Sequence, residues 1–116
     1  MKLPNVQLAE VPKAKITLYL LNPNHRSGKS KARFFAGHGF SVEDWIALVN
    51  ALRQHAQEHE VAKQETTPLG MRFVVEGDMR LPDGVIATVR SVWFIESGES
   101  VPCLTTAYPL RRRKKI

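Results

Sequence analysis

The segment Asn22-Pro-Asn-His-Arg-Ser-Gly-Lys-Ser-Lys-Ala-Arg-Phe-Phe sets one histidine, His25, among the four cations Arg26, Lys29, Lys31 and Arg33, with no acid. Such a set suits a phosphodiester cut by its own 2′-hydroxyl. That reaction needs a group to handle protons and cations for the negative charge that develops around phosphorus. His25 could supply or receive the proton, while Lys29, Lys31 and Arg33 could hold the phosphate. Gly28 before Lys29 does not make a nucleoside-triphosphate loop, because the GxxxxGK[ST] spacing and the preceding strand are both missing. An ordinary solvated loop would show the same composition.

A second candidate lies near the end of the chain, in Thr105-Thr106-Ala107-Tyr108-Pro109. On a strand Thr106 and Tyr108 point the same way. Their hydroxyls could bond a phosphate, and the Tyr108 ring could stack on a base. Two β-forming residues in a strand also need no such role. Arg72 and Arg90, in neighbouring predicted strands, could add positive charge to that face. His38, His55 and His59 offer no ligand set: His55 and His59 are four apart on a predicted helix, but no acid or cysteine completes a metal site. Neither a metal nor a cofactor is expected.

Charge placement sharpens these candidates. The formal net charge of +6 comes from 17 Lys and Arg against 11 Asp and Glu. Nine of the cations fall in two clusters, the His25 segment and the tail Arg111, Arg112, Arg113, Lys114 and Lys115. Elsewhere eight cations face eleven acids, a balance of −3. Two basic clusters on a mildly acidic body fit a polyanion partner better than uniform basicity does. With one cysteine, Cys103, no internal disulfide or CxxC motif can form. No apolar run approaches the ~18 residues of a membrane span, and Met1 to Leu8 lacks a signal-type pattern. A cytoplasmic protein with no membrane partner is expected.

The elements that must position these residues follow from periodicity. Residues 1–116 read as one domain, with an irregular lead-in over 1–11 and a basic tail over 111–116. Lys13 to Leu21 fits a helix stopped by Asn22 and Pro23, though Ile16, Leu18 and Leu20 also alternate as in a strand. Asn22 to Lys31 reads as a loop, pinned by a short helical turn from Ala32 to Ala36. Ser41 caps a helix running to about His59, whose stripe of Trp45, Leu48, Val49, Leu52 and Ala56 is core. From Val61 the period becomes two. Strands are expected at Val61–Thr67, around Met71–Glu76, at Ile86–Glu96 and at Cys103–Tyr108, with turns at Pro82-Asp83-Gly84 and Ser97–Ser100. The order predicts an α+β fold: N-terminal helices packed on a three- to four-stranded antiparallel meander.

Taken together, Asn-Pro-Asn-His, Gly-Lys, Lys-Ala-Arg-Phe-Phe, Gly-Phe-Ser, Val-Arg-Ser-Val-Trp and Thr-Ala-Tyr-Pro resemble an uncharacterised bacterial family of small domains, over nearly the whole chain. At greater distance, helices before a four-stranded meander that ends in Thr-Ala-Tyr-Pro resemble the barnase, EndoU, colicin and RelE superfamily of metal-independent ribonucleases, many of them toxins. The resemblance implies a site on the exposed sheet face that combines an early His or Lys with a late Thr or Ser and a Tyr or Arg. Those roles fall on His25, Lys29 or Lys31, Thr106 and Tyr108; from their charge, Arg26, Lys29, Arg33, Arg72, Arg90, Arg111, Arg112 and Arg113 are expected to contact RNA. It also implies a small acidic antitoxin as a partner. The alternative is a non-catalytic module of the same fold that binds nucleic acid or protein.

Overall fold

The computed structural model describes residues 1–110. Four strands form one antiparallel sheet in the order β1-β2-β3-β4: β1 Val61–Thr67, β2 Gly70–Arg80, β3 Ile86–Glu96 and β4 Cys103–Pro109. The β2–β3 hairpin turns at Pro82-Asp83-Gly84. There Gly84 has φ 88°, the Gly84 amide donates to the Leu81 carbonyl, and Asp83 Oδ1 accepts from the Val85 amide. This register sets Glu76 opposite Arg90 and Val74 opposite Val92. Odd-numbered residues of the two long strands, among them Phe73, Val75, Val89 and Trp93, enter the core, as period-two alternation requires.

Three helices precede the sheet: α1 Lys13–Lys15, which opens into a wide π turn over Ile16–Leu20, then α2 Lys29–Gly37 and α3 Trp45–Glu58. In the π turn the Leu21 amide donates to the Ile16 carbonyl at 2.8 Å, and Ile16 and Leu20 are fully buried. The α+β fold with helices on an antiparallel meander is thus the one the periodicity predicts.

Two local expectations need correction. The loop drawn from Asn22 to Lys31 ends at Gly28, since α2 already includes Lys29 to Lys31. Ala32 and Phe35, three apart, bury one face of α2 and carry the polar residues before them into its first turn. The long helix starts at Trp45 rather than just after Ser41. The Ser41 hydroxyl instead accepts from the Asp44 amide in the preceding turn. The lead-in is also tied down: Leu3 and Ala9 are buried, and Glu10 bridges to β4 through the Pro102 carbonyl and the Leu104 amide. Cys103 at this bridge is a half-buried free thiol, and burial pushes it above the ordinary thiol range.

β4 carries a bulge. Leu104 pairs with Trp93 and faces the core, whereas Thr106 pairs with Val92, so Thr105 is an extra residue in the strand. Because of it, Leu104 and Thr106 lie on opposite faces although they are two apart.

His55, near the end of α3, is 2% exposed. Its Nε2–H is shared between the Val89 and Gly77 carbonyls, at 2.9 and 3.1 Å. Its Nδ1 accepts from the Ser91 hydroxyl, which in turn accepts from the Trp93 indole at 2.9 Å. Satisfying every polar atom makes a neutral imidazole tolerable in the core. Burial holds its pKa below the ordinary histidine value, the Gly77 carbonyl opposing this and the neighbouring His59 adding to it. The unfolded chain binds a proton at this residue near pH 6.5 while the native state resists it. Stability should therefore be full above that pH and fall as the pH drops through the lowered folded-state value, at up to about 1.4 kcal/mol per pH unit. Urea unfolding at pH 7.5, 6.5 and 5.5 should show this fall. The His55→Gln variant should show a shallower one; equal slopes would contradict a neutral buried His55.

Candidate functional site

Tyr19, at the end of the π turn, is the hub. Its hydroxyl is 2.8 Å from Thr106 Oγ1 across the β4 edge. Its ring meets the His25 ring edge-on, with centroids 4.8 Å apart. Lys31 Nζ, from the first turn of α2, lies 5.4 Å from the centre of the Tyr19 ring and 5.8 Å from that of Tyr108. Lys15 Nζ approaches Tyr19 as well, at 5.5 Å. The cluster continues along the sheet. Arg90 Nη1 donates to the Tyr108 hydroxyl at 3.0 Å, and Arg90 clamps Glu76 Oε2 through Nε and Nη2 at 2.7 and 2.6 Å. Tyr108 first, and then Glu76, hold the guanidinium in its charged form.

Gly28 makes the close packing possible. A Cβ at this position would lie 2.7 Å from the Tyr19 carbonyl oxygen and 2.8 Å from its ring. His25 orders the same turn. Its Nδ1 accepts from the amides of Ser27 and Gly28 at 3.1 and 3.0 Å, a cap-like arrangement leading into α2. Nδ1 therefore has no lone pair to spare, and the ring hydrogen sits on Nε2. In this pose Nε2 carries the N–H, and none of the hydrogen bonds of the described residues engages it. Lys31 Nζ donates to the Ser27 carbonyl at 3.1 Å, which adds a further tie to the turn.

Of the residues singled out from the sequence, the fold joins His25, Lys31, Thr106 and Tyr108 through Tyr19. Arg26, Lys29 and Arg33 line one hollow of about 340 Å³ with Ser27 and Ser30. All three are exposed and, among the described residues, none has a carboxylate within 4 Å. Ser30 also borders a second hollow, of about 420 Å³, with Lys31, Tyr108 and Pro109. Arg72 shares the face of Arg90 but sits further from Tyr108 along the sheet and is paired with Glu65 at 2.7 Å. Arg111, Arg112 and Arg113 lie outside the described residues. Among the described residues no three His, Cys, Asp or Glu side chains are grouped to hold a metal, and no helix is long and apolar enough to cross a membrane.

Tyr19 and Glu76 were missed in the sequence. Tyr19 carries no local signal in a segment read for its apolar spacing. Glu76 did carry one: it lies as far before Asp83, the centre of the hairpin turn, as Arg90 lies after it, which forecasts their pairing.

With this geometry in place, comparison with known proteins defines the class. Residues 2–111 match the family described as Domain of unknown function (DUF6883), and the chain belongs to that family. No curated protein matches. Among solved structures, the fold is similar to a chain of the contact-dependent growth inhibition toxin–immunity protein complex from Klebsiella pneumoniae 342. The TM-score is 0.65 at 14% identity, covering 88% of this chain and 100% of that one.

If Tyr19 ties the basic turn to β4, removing its hydroxyl should cost about 1 kcal/mol. Gly28→Ala, which forces Tyr19 away, should cost about 1–3 kcal/mol. Urea denaturation of Tyr19→Phe and Gly28→Ala measures both, and two unchanged midpoints would refute the tie.

Proposed function

We propose that this chain is a metal-independent endoribonuclease domain of a bacterial toxin system. The observation that carries the reading is the cluster around Tyr19 and Tyr108: a cation, an imidazole N–H, a threonine hydroxyl and one carboxylate gathered at a sheet face beside the unpaired Arg26, Lys29 and Arg33. The solved complex of similar fold contains a toxin and an immunity protein. A cationic surface with a carboxylate in its middle fits the member that acts on a polyanion.

The roles follow from the pose of each group. Glu76 is the one carboxylate linked to the cluster by these contacts. Its Oε2 takes both bonds from Arg90, which leaves Oε1 for the proton of a ribose 2′-hydroxyl. The freed 2′-oxygen attacks the adjacent phosphorus, and the bond from phosphorus to the 5′-oxygen breaks. Lys31 gives a proton to that leaving oxygen and offsets the charge on the phosphoryl oxygens, assisted by the His25 Nε2–H bond. The products are a 2′,3′-cyclic phosphate and a 5′-hydroxyl. Thr106 and Tyr108 position the nucleotide, and the Tyr108 ring offers a base a stacking surface.

A protein partner is the second reading, favoured by the uncompensated Arg26, Lys29 and Arg33. A small acidic protein would cover them and block the site.

Purified protein incubated with total RNA in EDTA should yield fragments with 2′,3′-cyclic phosphate ends. Glu76→Gln and Lys31→Ala should each slow cleavage by about 10²–10⁴-fold while keeping the native circular dichroism spectrum. Intact RNA with the wild-type protein would overturn the enzymatic reading.

A further inference from the structure

Three hollows adjoin one another along α2, and their shared walls define a path. The first, beside Tyr108, is bounded by Ser30 and Lys31. Across Ser30 lies the second, held by Arg26, Lys29 and Arg33. Lys29 and Arg33 in turn border a third, of about 360 Å³, whose other walls include Leu21, Pro23 and Ala36. The middle hollow is purely cationic and hydroxylic, and the third is largely apolar. Their order alternates a stacking ring, a basic pocket and an apolar wall.

That alternation matches the repeat of a single-stranded polynucleotide, in which bases and phosphates follow in turn. We propose that the Arg26–Lys29–Arg33 hollow is a separate phosphate subsite. It takes the phosphate one nucleotide away from the unit held at Tyr108, with the following base laid against Leu21, Pro23 and Ala36. The substrate is then a single RNA strand of at least three nucleotides, and a dinucleotide lacks the group that fills the subsite. A duplex is disfavoured, because its bases are engaged with each other and cannot reach the ring and the apolar wall. This assignment rests on the ribonuclease reading for its substrate and on the three hollows for its register.

The basic side chains act here through charge alone. None of the three reaches the scissile phosphate region around Lys31 and Tyr108 in the contacts of the fold, so their effect belongs in binding rather than in the chemical step. Replacing two of them should lower the slope of log affinity against log salt by about 0.7 for each cation removed, the value for single strands.

The test compares a dinucleotide with a tetranucleotide as substrate, using wild type and the Arg26→Ala/Arg33→Ala double variant. In parallel, an all-deoxy tetranucleotide that cannot be cleaved is titrated by fluorescence anisotropy at several salt concentrations. Wild type should favour the tetranucleotide by about tenfold or more in KM. The double variant should lose most of that preference and bind the deoxy strand with the lower salt slope. If wild type cuts nothing yet binds the deoxy tetranucleotide better than the dinucleotide, and the variant loses that difference, the subsite stands and the ribonuclease reading falls. Equal KM for the two lengths, a preference kept intact in the double variant, or no binding of either strand would overturn the subsite.

Discussion

The Tyr19 ring lies against Gly28 on one side and reaches Thr106 with its hydroxyl, and through those two contacts the basic segment is fixed to the last strand. Without it, a glycine-containing turn rich in cations would gain little from any single pose, since ordering it costs backbone entropy and its side chains bury almost nothing. The aromatic ring supplies apolar area where the segment itself has none, and its polar end finds a partner on a strand that is rigid for unrelated reasons. His25 and Lys31 then inherit their positions from the turn, His25 by accepting two of its amides and Lys31 by donating to one of its carbonyls.

The cations of the described residues divide into two electrical classes that composition alone does not separate. Arg72 and Arg90 are matched across strands with Glu65 and Glu76, so they contribute alignment and local polarity but little net field. Arg26, Lys29 and Arg33 have no such match and project their charge into solvent. Part of the unmatched positive charge therefore stands on α2, next to the cluster.

The sheet was legible because period-two alternation and a Pro-Asp-Gly turn are strong local signals. All four strands lie where these place them, with β2 extending at both ends. The site was legible in its residue types and only partly in its support. A helix over Lys29 to Gly37 was hidden because its first turn is Lys-Ser-Lys, which shows no apolar stripe, and Ala32 with Phe35 alone carries the burial. The inward turn of His55 was hidden for a different reason. A histidine four residues from another at an acidic helix end looks solvated until the opposing strands supply two carbonyls and a serine hydroxyl, and those come from residues 22 to 36 positions away. Tertiary partners of that kind leave no mark in a local window.

The extra residue at Thr105 bears on which face of the sheet the end of β4 presents. Leu104 and Ala107 face inward while Thr106 and Tyr108 face outward, and only the bulge reconciles the two sets. The pairing of the strand, and not its letters alone, sets which side chains reach the open face. If the pairing with β3 instead ran straight on from Leu104, Thr105 would stand opposite Val92, and Thr106 and Tyr108 would turn toward the core. Whether β4 keeps its bulge, more than the presence of the letters Thr-Ala-Tyr-Pro, sets which way these two hydroxyls point.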